Sequence, residues 1–196
     1  MTRYHALIAA VWLLAGLVPH GTADAGLLPK EQSPDEQRAE IRKMRDQTLQ
    51  DLYRVQPDAR SHIQKAAGYA VFSNFGVKIL VAGGGSGSGI AIENKTKKET
   101  FMRMAEVQAG LGFGVKKFRL VWVFEKKSDL DRFINSGWEL GAQTTASAKV
   151  SGLGANVLTG ALSLSPGVWL YQLTDDGLAL ELTAKGTKYY KAADLN

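Results

Sequence analysis

The stretch Ala82-Gly83-Gly84-Gly85-Ser86-Gly87-Ser88-Gly89 has the small-residue density of a loop that wraps phosphate. A P-loop needs a glycine, four residues and then Gly-Lys-Ser/Thr, because the lysine reaches the phosphates and the hydroxyl holds magnesium. Here Gly87 is followed by Ser88-Gly89-Ile90, so the lysine is missing. Counted from Gly85, the dinucleotide fingerprint would put its third glycine at Ile90, and no helical pattern follows. Gly83, Gly84, Gly85, Gly87 and Gly89 therefore read as structural. An apolar run from Gly76 enters them and another, Ile90-Ala91-Ile92, leaves them, so two extended segments are expected to join or bend where side chains are absent.

Other reactive groups are sparse. His5 and His20 fall in the leader described below, which leaves His62 with no cysteine or second histidine to build a zinc site. Ser86 and Ser88 sit in no nucleophile elbow, and Asp175-Asp176 reads as turn chemistry. A hydrolase would require a cleft that joins His62 to a serine and an acid. The expectation is a non-enzyme without cofactor or metal. What remains is an interaction surface. Trp122, Trp138 and Trp169 are expected in the core or at its rim; one projecting beside Lys116, Lys117, Lys126 or Lys127 would make an apolar and cationic patch suited to an anionic amphiphile. Each accessible lysine near an anionic bilayer contributes about 1 kcal/mol. The net charge of +5 and pI of 9.4 agree with such a partner. The basic residues are scattered and no reading module is present, which argues against nucleic acid.

The elements that must position these residues follow a leader. After Met1-Thr2-Arg3-Tyr4-His5, the apolar segment Ala6 to Val18 has signal-peptide length, Pro19 and Gly21 break it, and Ala23-Asp24-Ala25 offers a small-x-small cleavage pattern. Residues 1–25 are read as a cleaved signal peptide and 26–196 as one exported domain; an uncleaved anchor helix is the alternative. Without cysteine, the new N-terminus cannot be lipid-modified.

Ser33-Pro34-Asp35-Glu36 reads as a capping box that opens a helix from Pro34 to Val55, which stops before Pro57. Ile41, Met44, Thr48, Leu52 and Val55 share one stripe, edged by Arg38, Arg42 and Arg45. Either the stripe docks on the core with the arginine charges kept wet, or the helix lies on a membrane with its cations toward headgroups. A second helix starts near Pro57-Asp58 and closes at Gly68. Tyr69 to Phe75 is extended, and Glu93 to Lys98 is an exposed connection within a hairpin of Ile90–Glu93 with Thr100–Val107. Phe118 to Phe124 is the clearest strand and is expected to be central. Ser128-Asp129-Leu130-Asp131 matches a capping box for a short helix ending near Gly137. Trp138 to Gly154 leans toward strand, Gly160 to Ser165 toward a loop end or short strand. Val168 to Leu173 and Leu178 to Thr183 form a closing hairpin around Thr174-Asp175-Asp176-Gly177. The sum is an α+β domain with a strongly curved or barrel-like antiparallel sheet, N-terminal helices and one short inserted helix.

In this order the segments resemble the SYLF family of lipid-binding domains, particularly its exported bacterial members. Ala66-Ala67-Gly68-Tyr69-Ala70-Val71-Phe72 resembles the segment after the family's opening helices, and Ala82 to Gly89 its glycine signature. Leu120 to Phe124 with Leu130 and Phe133 resembles its hydrophobic strand and short helix; Gly167 to Tyr171 and Tyr189-Tyr190 resemble its late aromatic pattern. Membership implies phospholipid binding. The chain departs from the eukaryotic pattern in lacking a strongly basic amphipathic helix, for which Lys30, Arg38, Arg42, Lys43 and Arg45 are a partial substitute. The functional expectation is anionic phospholipid binding at a membrane surface in a Gram-negative periplasm, through Arg38, Arg42, Arg45, Lys95, Lys97, Lys98, Lys116 and Lys117. The alternative is a structural or protein-interaction module with an envelope protein partner.

Overall fold

Ser33 and Glu36 start the first helix as their spacing predicts. The Ser33 backbone N–H donates to Glu36 Oε2 at 2.8 Å, and the Glu36 N–H donates back to Ser33 Oγ at 3.3 Å. In this computed structural model, which describes residues 32–79, 82–109, 114–140, 155–156, 160–174, 177–179 and 186–196 (backbone alone at 74–79, 82–83, 107–109, 114–117, 140, 155–156 and 179), helix α1 is Pro34–Val55. It buries Ile41, Thr48 and Leu52 and half-buries Met44, whereas Val55, the last residue of the expected stripe, is exposed in the final turn. Helix α2, Asp58–Lys65, buries Ala59 and Ile63. Gly68 does not close it, contrary to expectation. Gly68 begins strand β1, where a Cβ would lie 2.3 Å from Ile92 O and 2.6 Å from Leu130 Cδ2. Residues 1–25, the expected signal peptide, and most of Trp138 to Gly154 lie outside the described residues.

The strands are β1 (Gly68–Ile79), β2 (Ala82–Glu93), β3 (Glu99–Ala109), β4 (Gly114–Phe124), β5 (Trp138–Leu140), β6 (Ala155–Asn156), β7 (Ala161–Ser165), β8 (Val168–Thr174), β9 (Gly177–Ala179) and β10 (Thr187–Lys191). They form one antiparallel sheet in the order β5-β10-β3-β2-β1-β4-β8-β7-β6, with β9 also paired to β8. The pairings Leu173↔Leu178 and Thr174↔Gly177 match the expected closing hairpin, and β4 is interior, flanked by β1 and β8. Two further readings are corrected. The glycine cluster is no joint between segments: Gly83, Gly84, Gly85, Gly87 and Gly89 all lie inside β2, paired to β1 and β3. Helix α3, Lys127–Ser136, is preceded by Lys126 with no side-chain cap, so Ser128 lies within the first turn and its capping box does not form. Strand β10, which carries Tyr189, was not expected.

The sheet curls, and side-chain distances measure how much. β10 and β4 are separated by three intervening strands, so in a flat sheet they would lie about 19 Å apart. Yet the Trp122 and Tyr189 rings, one on each strand, have centroids 5.0 Å apart. Phe72 and Phe133 complete this inner cluster at 4.9 Å and 5.6 Å from Tyr189, and α3 supplies Leu130 and Phe133 to it. On the other face α1 and α2 pack Leu52, Ala59 and Ile63 against Val71, Val121, Val123 and Tyr171. A third cluster joins Ile41 to Ile90, Ile92, Phe101 and Leu195 of the C-terminal 3₁₀ turn, Ala193–Leu195. The result is a mixed α+β fold with a half-barrel sheet.

The inner cluster explains two of the glycines. A Cβ at Gly89 would meet the Phe72 ring at 2.3 Å and Val71 O at 2.4 Å; one at Gly87 would meet Ser73 O at 2.2 Å and Met104 Cγ at 2.7 Å. At Gly84 the nearest atom would be Glu106 O at an ordinary 3.5 Å. Gly89→Ala is therefore expected to cost about 2–4 kcal/mol, with Gly84→Ala within about 0.5 kcal/mol of the parent, as read by urea unfolding. Equal losses at the two positions would show that the packing of Phe72 over Gly89 is not what limits the strand.

Candidate functional site

The arginines along α1 are held by carboxylates of the protein itself. Arg42 Nε donates to Glu99 Oε2 at 2.8 Å and its guanidinium lies 5.2 Å above the Phe101 ring. Arg45 donates to Glu99 Oε1 at 3.0 Å and to Asp46 at 2.8 Å. Arg38 donates to Leu195 O at 2.9 Å and to Asp35 at 2.6 Å. Glu99 opens β3, and the arginine pair, Arg42 first, lowers its carboxyl pKa. These charges clamp the helix to the strand and to the C-terminus, and sequence spacing, which sees only the helix, could not place Glu99 beneath them.

The lysines behave differently. The connection between β2 and β3 is closed by the Lys97 N–H donating to Glu93 O at 2.8 Å and the Glu93 N–H donating to Lys98 O at 3.1 Å. Asn94 Nδ2 donates to Ile63 O at 2.7 Å and Ala66 O at 2.9 Å, which ties the turn to the end of α2. The Ala67 N–H donates to Phe124 O, and Lys127 Nζ lies 3.9 Å from Glu93, so the start of α3 meets the same place. Lys65, Lys95, Lys97, Lys98 and Lys126 are exposed there and form no ion pair among the described residues. Lys127 pairs with Asp131 at 2.7 Å. Lys97 has φ +59°, a left-handed conformation that non-glycine residues seldom adopt. Lys65 escaped the sequence reading because only the Asn94 bridge brings α2 to this turn.

Lys116 and Lys117 belong elsewhere. They pair in register with Gly76 and Phe75, and Phe75 pairs with Ser86, seven residues along β2 from Glu93 and thus about 24 Å away. The expected contacts therefore divide into a neutralised arginine clamp, a lysine end at Lys95, Lys97 and Lys98, and a distant pair. Gly83, Gly84, Gly85, Gly87 and Gly89 run between the two ends as backbone of β2.

His62 sits beside the lysine end, half-buried. Its Nδ1 is 2.9 Å from the Tyr171 hydroxyl, and its Nε2 lies 4.0 Å from Glu125, which accepts from Trp169 Nε1 at 2.8 Å. Its partners are a phenol and a carboxylate. Burial lowers the His62 pKa against the opposing pull of Glu125, and burial, with Asp58 nearby, pushes the Tyr171 phenol up to about 12. Trp169 is a rim residue and Trp122 a core one. Among the described residues no group of three or more histidine or acidic side chains is placed to hold a metal ion, and no helix is long and apolar enough to cross a membrane.

A depressed imidazole pKa means that the unfolded chain takes up its proton first as pH falls. Stability is expected to decline below about pH 6.5 toward the lower folded pKa, and His62→Gln should remove that component. NMR titration of the ring in the folded protein should give a midpoint below 6.5; a midpoint above it would reverse the sign.

Compared with known proteins, no family model matches the chain. It is 34% identical over 160 residues to Beta cell expansion factor A of Aeromonas veronii, an alignment that covers 82% of this chain and 59% of that protein. The chain thus spans about three-fifths of the length of the curated relative it matches. Over most of its own sequence, this half-barrel chain is a homologue of Beta cell expansion factor A.

Proposed function

We propose that this chain is a SYLF-type domain that acts without catalysis in a bacterial envelope, binding the surface of an anionic phospholipid membrane through its lysine end. The observation that carries the reading is the contrast between two sets of cations. Arg42 and Arg45 spend their charge on Glu99, while Lys65, Lys95, Lys97, Lys98 and Lys126 converge on one end of the sheet without carboxylate partners among the described residues. At about 1 kcal/mol per lysine near an anionic surface, five such residues amount to reversible, salt-sensitive attachment. Lys97 adds a second support. Its left-handed backbone would be adopted at less cost by asparagine or glycine, and a strained residue is tolerated where its side chain has a use. The order of motifs that resembles the SYLF family points the same way, as does the export expected from residues 1–25, which would place the domain beside envelope lipid.

The protein is expected to float with vesicles containing anionic phospholipid and not with neutral ones, and to be released as salt rises from about 50 mM to 500 mM. The K95E/K97E/K98E variant should lose at least tenfold in vesicle affinity. Equal recovery from neutral and anionic vesicles would end the electrostatic reading and leave a lipid-independent envelope protein partner as the better account. A separate expectation concerns Lys97 alone: Lys97→Asn should leave thermal stability unchanged or higher while weakening flotation. A loss of stability would mean that the lysine is there for the fold.

A further inference from the structure

Helix α1 does not meet the sheet along its whole length. Its middle sets Ile41 and Met44 on Ile90, Phe101 and Leu195. In the neighbouring cross-strand row the sheet offers Ser73 of β1 opposite Ser88 of β2, then Arg103 of β3 and Tyr190 of β10. Two hydroxymethyl groups cannot fill the space beneath a helix. A cleft of about 540 Å³ remains, floored by Ser73, Ser86 and Ser88 and walled by Glu40 and Met44 of the helix. That volume lies within the range of about 300–1,000 Å³ usual for small-molecule sites.

The charges in this cleft run against those of the molecule. Arg103 is paired with Asp194, whose carboxyl pKa it lowers, and nearby Arg38 is matched by Asp35 and Leu195 O. Glu40 accepts a hydrogen bond from Gln32 Nε2 at 2.8 Å and has no cation partner among the described residues. A chain of net charge +5 thus holds a cleft whose uncompensated charge is negative. Tyr190, 39% exposed, adds an aromatic face to the same lining, and aromatic faces attract organic cations.

We propose that this cleft binds a small organic ammonium of the amino-alcohol type. The Glu40 carboxylate and the Tyr190 ring draw the ammonium. The hydroxyls of Ser73 and Ser88, and the guanidinium N–H groups of Arg103 that Asp194 leaves unused, hydrogen-bond its oxygen functions. An anion without an ammonium is disfavoured, because Glu40 faces it unpaired and the Arg103 charge is already matched by Asp194. The site is distinct from the lysine end: Ser88 is five residues along β2 from Glu93, about 17 Å. It does not depend on the membrane reading above.

NMR titration of the whole mature chain with ethanolamine, glycerophosphoethanolamine and glycerol 3-phosphate tests the assignment. The two ammonium compounds should shift Ser73, Ser88 and Tyr190, and glycerol 3-phosphate should not. Glu40→Gln, a change at an exposed side chain, should weaken ammonium binding at least tenfold. Ser88→Leu should abolish it by filling the floor, and K95E/K97E/K98E should leave it intact. Vesicles of neutral lipid with and without an ethanolamine headgroup separate two sources of the same chemistry: shifts with the free compounds identify a soluble ligand, and Glu40-dependent shifts with ethanolamine-lipid vesicles alone identify a headgroup still on its lipid. Glycerol 3-phosphate binding as well as ethanolamine, or Glu40→Gln binding like the parent, would overturn the proposal.

Discussion

The contact between Trp122 and Tyr189 is the constraint from which most of this structure follows. Two strands separated by three others bring their rings to a centroid distance of 5.0 Å, and only a strongly coiled sheet allows that. Burying Phe72, Trp122, Phe133 and Tyr189 together removes several large apolar surfaces from water, with edge-to-face and tilted contacts adding about 0.5–1.5 kcal/mol each. Burial also pushes the Tyr189 phenol well above its ordinary pKa, so the ring stays neutral. Such a cluster needs room on the strand it lies over. β2 supplies it with Gly87 and Gly89, where a Cβ would collide with backbone and with the Met104 side chain or the Phe72 ring, respectively. The glycine run that resembles a phosphate loop is therefore the floor of an aromatic core.

Turning a sheet inward on one face leaves the other to be covered, and the helices cover it unevenly. Where β1 and β2 present Val71, Ile90 and Ile92, α1 and α2 pack closely. Where the same strands present Ser73, Ser86 and Ser88, the helix spans a cleft. The alternation of a strand links the two outcomes: Gly87 and Gly89 point to the inner face and Ser86 and Ser88 to the outer one. One short sequence thereby makes room for the core on one side and a polar hollow on the other. The charges are divided in a similar way. Arginines, with planar forks suited to bidentate carboxylate pairing, hold the helix to β3 and to the C-terminus, and lysines, compact and flexible, are left to solvent at the end of the sheet.

Much of this was legible in the residues. The Ser33 to Glu36 box and Pro57 bounded α1, because capping and proline geometry are local. The 118–124 run announced an interior strand, because continuous apolar residues need cover on both faces. Thr174 to Gly177 gave the last hairpin. The errors share one cause. Ser128 matched a capping pattern that the backbone starts two residues too early to use. Gly68 matched a helix stop, yet it is demanded by Ile92 and Leu130, one remote by 24 positions and the other by 62.

By itself the sequence determined most of the local elements and the class of fold, since capping and periodicity act over a few residues. Which cations are spent and which remain was decided only by the tertiary structure. Glu99 lies 54 residues from Arg45, Asp194 lies 91 from Arg103, and Asn94 reaches 31 residues back to fasten α2 beside Lys95, Lys97 and Lys98. Electrostatic pairing depends on distance in space, and the curl of the sheet sets that distance.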